Sequence, residues 1–474
     1  MREEKNYRME ASIWWIRRDL RLSDNRPLRL ALEQAKRVIP LFILDPELLN
    51  SPYVGQKRVA FLFEGLRQLN ADLRLRGSGL VLQQGDPLQV LHQLFKETGA
   101  QAIFAQADVS PYAKKRDERV GRDLPLNLSY GVTVHSHGQL LKPDGNPYTL
   151  FTPFKHRWKS LPFSGRPLPA PDNLPGLPAL DTMEASNLPD PTSSAAFVAG
   201  EVEAQRRLAA FTDSDLLYYT QGRDRMDLDG TSGLSPYLKF GMISARQVAW
   251  AAIEAAAGAR DELSRTSIET WLTELIWHDF YSVILDYYPE NLKAAFRKEL
   301  NRIQWSEDTA SLAAWKEGRT GYPVVDAGMR QLNSMGWMHN RARMITASFL
   351  VKDLLIDWQE GQRYFMQQLI DGDPASNNGG WQWMAGTGTD AAPYFRIFNP
   401  VLQGQKFDPQ GAYVRRWVTE LKPVPDEYIY APWTMPSDLQ RRVGCVIGRH
   451  YPRPIVMHAT ARQRALDAYR RARL

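Results

Sequence analysis

The chain has 474 residues, more than one hydrophobic core usually serves, so two or more folded units are expected. At 43% hydrophobic, 11% aromatic and 24% charged residues, the composition is that of a packed globular protein and excludes a disordered, collagen-like or coiled-coil chain. The net charge of +6 permits a polyanionic partner without requiring one, and the single cysteine, Cys445, excludes a disulfide framework, a cysteine-based zinc site and a cysteine-held iron–sulfur cluster.

In chain order, the first ten residues are polar and lack the apolar core of a signal peptide. The longest alanine-rich stretch, 249–259, is interrupted by Glu254 well short of a membrane span, so a cytoplasmic protein without membrane contact is expected. Short apolar runs at SIWWI, RVIPLFIL, GLVLQQ, AIFAQA and VTVHS, the last ending near Ser136, alternate with helical stretches. They predict an N-terminal α/β domain over 1–136 built on a parallel doubly wound sheet. Neither G-x-G-x-x-G after the first strand nor a P-loop occurs, so any ligand of this sheet is held differently. Eight prolines from Pro162 to Pro191, among Gly, Ser and Asp, exclude long helices and predict an interdomain linker over 137–199. Over 200–474 the apolar spacing becomes helical, notably around Val248, in Thr266 to Tyr288 and in Met338 to Trp358, which predicts an all-α domain.

Within that domain, Gly230-Thr231-Ser232-Gly233-Leu234-Ser235-Pro236 sets small hydroxyl residues and backbone N–H groups before an apolar helical run. The pattern suits a diphosphate, but taken alone it is more often a plain N-cap. A helix around Thr270 places Trp271, Glu274 and His278 at i, i+3 and i+7, with Trp277 and Tyr281 on the adjoining stripe. An acid among aromatics there either pairs, bonds a polar ligand edge or packs at an interface. Asn340 and Met344 stand one turn apart with Arg343 between them, and position alone makes the methionine core filler. IDGDPASNNGGWQW brings Asp371, Asp373, Asn377, Trp381 and Trp383 into what reads as an irregular glycine-rich loop building a polar pocket. A calcium loop is disfavoured because the remaining ligand spacing and the terminal Glu are missing. His135 and His137 alternate on a predicted strand without a third ligand, and Ser, His and Asp are too dispersed to nominate a triad. No metal is expected.

The stretches WWIRRDLRLSDN, TGYPVVDAGMRQL, GWMHNRARMITASFLVKDLLIDW, IDGDPASNNGGWQW and APYFRIFNP together resemble the photolyase/cryptochrome family, specifically its class I cyclobutane pyrimidine dimer photolyases, from Ile13 to the C-terminal region. The resemblance implies an N-terminal α/β domain joined by a long loop to an all-α domain holding FAD in a U-shaped form. It implies a light-driven lyase in which excited reduced FAD passes an electron to a pyrimidine dimer flipped out of DNA. Carried over by the resemblance, Tyr219, Thr231, Ser232 and Ser235 hold the diphosphate region, while Trp271, Arg343, Asp371, Asp373 and Asn377 surround the flavin and ribityl chain. Glu274, Trp277, Asn340, Met344 and Trp383 form the lesion pocket, where tryptophans wedge the flat-sided dimer and Glu274 reads its carbonyl edge. Arg223, Arg341 and Arg396 meet DNA phosphates, and Trp381, Trp358 and Trp305 match the family's electron-relay positions.

The segment ADVSPYAKKRD, with Asp108, resembles the antenna-facing region of members that bind 8-hydroxy-deazaflavin and of members that bind methenyltetrahydrofolate, with a slight lean to the former. One departure stands out. His278-Asp279 stands where the resemblance implies an Arg-Glu pair, which changes the charge balance expected near the pocket. The competing reading is a cryptochrome-type blue-light photoreceptor, against which stand the full lesion set and a chain ending at Leu474 without a long tail. Asn340 and Met344 also occupy positions where six-four photolyases use histidines. A monomer without an obligate protein partner, associated with the nucleoid through DNA, is expected.

Overall fold

The computed structural model describes residues 8–189 and 197–474, so Pro191 of the expected linker and the first seven residues of the chain lie outside the described residues. Two compact units are present: one runs up to Leu217 and takes in Ser232–Pro289, the other comprises Tyr218–Thr231 and Glu290–Leu474. The helices of 232–289 therefore cluster with the sheet, on the other side of the division expected near residue 200.

In the first unit β1 (Met9–Ile16), β2 (Ala35–Leu44), β3 (Val81–Gln84), β4 (Ile103–Gln106) and β5 (Leu126–Ser129) form a parallel sheet in the order β3-β2-β1-β4-β5. Ile13 of β1 sits in register between Ile39 and Ile103, and these central runs are buried on both faces, as a helix-covered parallel sheet requires. The covering helices α1 (Arg26–Gln34), α2 (Gln56–Arg74), α3 (Pro87–Thr98) and α4 (Pro111–Asp123) complete the doubly wound pattern. Three of them start alike: Asn25, Asp86 and Ser110 cap a free backbone N–H ahead of a proline in the first turn.

Four strands fall where the apolar runs predict them, and the fifth does not. VTVHS is a loop, because Asp279 accepts the Val134 N–H at 3.0 Å and His137 Nδ1 bonds Asp286 at 2.6 Å, contacts that replace a strand ladder. The sheet instead ends on Leu-Asn-Leu-Ser, a half-exposed edge strand that needs no apolar run. The expected linker carries a helix, α5 (Phe151–Ser160), before the proline-rich stretch, which holds only a three-residue turn at Ala185–Asn187.

The apolar run after Ser235 is likewise broken. Helix Ser235–Phe240 stops at Gly241, whose φ of +64° and whose separation of 1.9 Å from a would-be Cβ to the Arg18 carbonyl oxygen admit only glycine. Ser244 then restarts α6 (Ala245–Gly258) with a capping box to Gln247, and α7 (Glu262–Tyr287) follows.

The second unit is helical. Its central elements are α8 (Pro323–Met335), α9 (Asn340–Ser348) continued by a wider turn at Phe349–Asp353, α10 (Trp358–Gln368), α11 (Pro374–Ala385) and α12 (His458–Ala472). The segment expected to be an irregular loop is mostly α11. Asp373 caps it through the Ser376 N–H at 2.9 Å, Pro374 takes the first helical position, and Gly386 ends it in the left-handed region. The cost of two interior glycines, about 1 kcal/mol each, is offset by burying Trp381 against Phe365 and Trp315. Among the described residues no helix is long and apolar enough to cross a membrane.

Candidate functional site

In the first unit α7 aligns Trp271, Glu274 and Trp277. Trp271 is buried against Phe211 at 5.2 Å, Glu274 is half-buried, and Trp277 stacks on Phe151 of α5 at 3.5 Å with planes 3° apart. Phe151 had no signal in the sequence, because it sits in a stretch that reads as linker. The His278-Asp279 departure resolves locally: Asp279 is fully buried and accepts from Val134 N, Trp158 Nε1 at 2.9 Å and His278 Nδ1 at 3.2 Å, so its charge ties α5 and the 131–136 loop to α7. His135 packs edge-on to Trp158 at 4.9 Å, and burial lowers its pKa.

Three residues too dispersed in sequence to suggest a triad do meet. Asp286 bonds His137 Nδ1, and Ser282 Oγ stands 3.3 Å from His137 Nε2. Ser282 is 1% exposed, however, so the arrangement is a buried structural relay closed to substrate.

Ser232 and Ser235 belong to this unit. Ser235 is the first residue of its helix, and the cap position falls on Leu234, so the serine-cap reading does not hold. Asp108 follows β4 at the point where the strand order reverses, the usual ligand crevice of such sheets. Its carboxylate faces Arg18 at 3.5 Å and accepts the Ser110 N–H at 2.9 Å. Burial alone would raise its pKa, but Arg18 and the Ser110 N–H outweigh burial and hold it at about 2. Beside it the Trp15 ring lies within 4.7 Å of the Arg17 guanidinium and 4.8 Å of that of Arg116.

The second unit gathers the larger set. Tyr219 is buried with the Arg223 guanidinium 5.4 Å from its ring, and Thr231 closes the same segment. His339 caps α9 by accepting the Arg341 N–H on Nδ1 at 3.1 Å; burial pushes its pKa down to about 4, so the ring stays neutral and the cap holds. Asn340 is the exposed first residue of α9, and Met344 lies one turn on, against the core that Trp383 also flanks. Arg341 is not a free cation: it pairs with Asp224 at 2.5 Å and lies 4.2 Å from the Phe407 ring. Arg396 is exposed beside the equally exposed Phe395.

Arg343 pairs with Asp371 Oδ2 at 2.7 Å and donates to the Met338 carbonyl. The Asp371 side chain is 2% exposed, and its other oxygen, Oδ1, is buried without a partner. Two residues later Asp373 opens α11, whose Asn377 donates to the Gln362 carbonyl at 3.0 Å. Trp381 lies over Gly361 of α10, where a Cβ would come within 2.1 Å of the ring, and Trp358 begins that same helix. Trp305 is half-buried and edge-on to Tyr469 at 6.2 Å. Asp224, Gln362 and Trp315 were not anticipated, since each acts only through contacts made in the folded chain.

The orphaned Asp371 oxygen tests whether the residues fit a flavin nucleotide. An acceptor beside an arginine, with its donor missing, matches a group offering ring N–H and hydroxyl donors, so the fit is good.

Comparison with known proteins agrees. A family described as the FAD binding domain of DNA photolyase matches residues 271–471, and one described as DNA photolyase matches residues 12–172. The deoxyribodipyrimidine photo-lyase of Synechococcus sp. is 41% identical, with 94% of this chain and 93% of that protein aligned. That of Escherichia coli is 39% identical over 98% of this chain and 99% of its own. The crystal structure of a bacterial class III photolyase from Agrobacterium tumefaciens superposes with a TM-score of 0.92 at 37% identity, covering 100% of this chain and 99% of that one. The chain thus belongs to the DNA photolyase family, the FAD-dependent lyases that use light to repair cyclobutane pyrimidine dimers in DNA.

Proposed function

We propose that the residues located above divide the repair reaction among them, a reading carried by one observation: the Arg343–Asp371 pair, whose buried carboxylate has an unpartnered Oδ1, next to the helix bearing Asn377. Bound FAD supplies the photoexcited electron donor. Asp371, held by Arg343, accepts from the cofactor, and Asn377, its amide oriented by Gln362, can serve as donor or acceptor there. Asp373 and Trp271 complete the surround, and Tyr219, Thr231, Ser232 and Ser235 take the diphosphate region. Glu274 bonds a dimer carbonyl while Trp277, rigidified by Phe151, and Trp383 hold the flat rings, with Asn340 and Met344 lining the same lesion. Arg223, Arg341 and Arg396 meet DNA phosphates. Trp381, Trp358 and Trp305 relay electrons through the helical unit, and the Asp108 crevice takes an antenna, 8-hydroxy-deazaflavin or methenyltetrahydrofolate. A cytoplasmic monomer of class I type, with its functional domains divided near residues 136 and 199, completes this reading.

The test is repair of an oligonucleotide carrying one thymine dimer under near-ultraviolet or blue light, with a dark control. Glu274→Ala should lower both affinity for the lesion and repair per absorbed photon, because the same carboxyl serves the bound dimer and the charge that develops on it. Equal repair in the dark, or undiminished repair per photon by the variant, would overturn the assignment.

A further inference from the structure

Phe151 lies on Trp277 in a way that two free rings would not choose. The centroids are 3.5 Å apart and the planes 3° apart, a face-to-face arrangement that ring quadrupoles disfavour against offset or edge-on ones. The neighbouring pairs follow that preference: Phe280 meets Phe151, Phe154 and Trp277 at 5.8, 5.2 and 5.6 Å with planes 79°, 64° and 81° apart. The stack is therefore imposed from outside the two rings.

What imposes it is the fastening of α5 to α7. Side chains four residues apart share one side of a helix, and Phe151, Lys155 and Lys159 form such a row on α5, as Glu269, Thr273 and Trp277 do on α7. The two rows meet in opposite directions. Lys159 pairs with Glu269 at 2.7 Å, Lys155 reaches Glu269 and the Thr273 hydroxyl at 2.9 Å each, and Phe151 meets Trp277. Beside the row, Trp158 Nε1 donates to the buried Asp279 at 2.9 Å, so a slip of α5 by one residue would leave that carboxylate short of a donor. Among the described residues no side chain caps the start of α5, which leaves this ladder to place Phe151.

A ring 3.5 Å from one face of the indole closes that face, while Trp277 as a whole stays half-buried and Phe151 is buried. With Trp277 assigned to the lesion pocket, on which this rests, we propose that Phe151 is a positioning residue for lesion recognition: carried by the α5–α7 ladder, it shuts one face of Trp277 and fixes the plane whose other face packs on the flipped pyrimidine dimer. An indole without such a neighbour has three χ1 wells and two χ2 orientations, so it spends as little as about a sixth of its time in the competent one, and apparent affinity falls by the same factor. Phe280 and Tyr281 exclude some of these, which gives a loss of about 2- to 6-fold. A wall that gives the dimer neither charge nor proton binds it alike before and during reaction, so the loss falls on affinity and not on repair per photon.

The experiment compares FAD-loaded full-length proteins on an oligonucleotide carrying one thymine dimer and on its undamaged counterpart. F151L and F151M keep apolar bulk and lose the flat ring. Each should weaken binding of the dimer oligonucleotide by about 2- to 6-fold. Each should also leave binding of the undamaged one unchanged, because phosphate contacts carry it, and keep wild-type repair per photon at saturating oligonucleotide. F154L removes the same kind of ring one turn along α5, where its partner is Phe280 rather than Trp277, and should leave dimer affinity unchanged. W277L should weaken dimer binding at least as much as F151L. A loss in W277L without one in F151L and F151M would overturn the proposal alone, as would an equal loss in F154L or a fall in repair per photon at saturation. Unaltered dimer binding by W277L would remove Trp277 from the lesion pocket and overturn both.

Discussion

Lys352 offers the sharpest quantitative test of how the helical unit is held together. Its side chain is 1% exposed, its Nζ donates to the Ala385 and Tyr394 carbonyls at 3.1 and 3.5 Å, and it sits 3.6 Å from the centroid of the Tyr469 ring. Burial pushes its pKa down to about 7, against about 10.4 for an unfolded lysine. Between those values the unfolded chain binds more protons than the folded one, so stability rises with pH by up to about 1.4 kcal/mol per unit. Below about 7 both states are protonated, the slope vanishes and the full cost of burying the ammonium, roughly 4 to 5 kcal/mol, is present. Lys352→Met keeps the volume and removes the charge, so its stability relative to wild type should be highest near pH 6 and should fall by roughly 4 to 5 kcal/mol as pH rises from 7 towards 10. Thermal unfolding of both proteins across that range is the assay. Parallel curves for the two would refute the argument, because they would mean that Lys352 titrates alike in both states.

Three further outcomes follow from the site. Arg343→Ala leaves the Asp371 carboxylate buried without compensation and should cost about 3 to 5 kcal/mol, more than Asp371→Ala, which leaves a guanidinium already 25% exposed; denaturant unfolding giving equal costs would contradict this. Asp371→Ala should also lower the FAD content of the purified protein, read from its absorption spectrum. Trp381→Phe should block photoreduction of oxidised FAD while sparing repair by pre-reduced enzyme, and a wild-type photoreduction rate would remove Trp381 from the relay.

What could be read from the sequence divides by the range of the interaction responsible. The four apolar strands, the proline-rich stretch and the long helix of Trp271 to Trp277 were legible because their periodicity is local. The end of the sheet is not local: Asp279, 145 residues from Val134, holds VTVHS, and Asp286, 149 residues from His137, holds the residue that follows it. α11 reads as a loop by its glycine content, which the Asp-Pro cap and the burial of Trp381 override in the fold.

Asp279 shows why the same limit applied to the site. As a sequence departure, His278-Asp279 raised a question of charge beside Glu274 and Trp277. In the fold, Asp279 spends its oxygens on Val134, Trp158 and His278, and Trp158 belongs to the helix whose Phe151 stacks on Trp277. The substitution therefore bears on Trp277 through the placement of α5 rather than through an added charge, an influence that no spacing within α7 could have revealed.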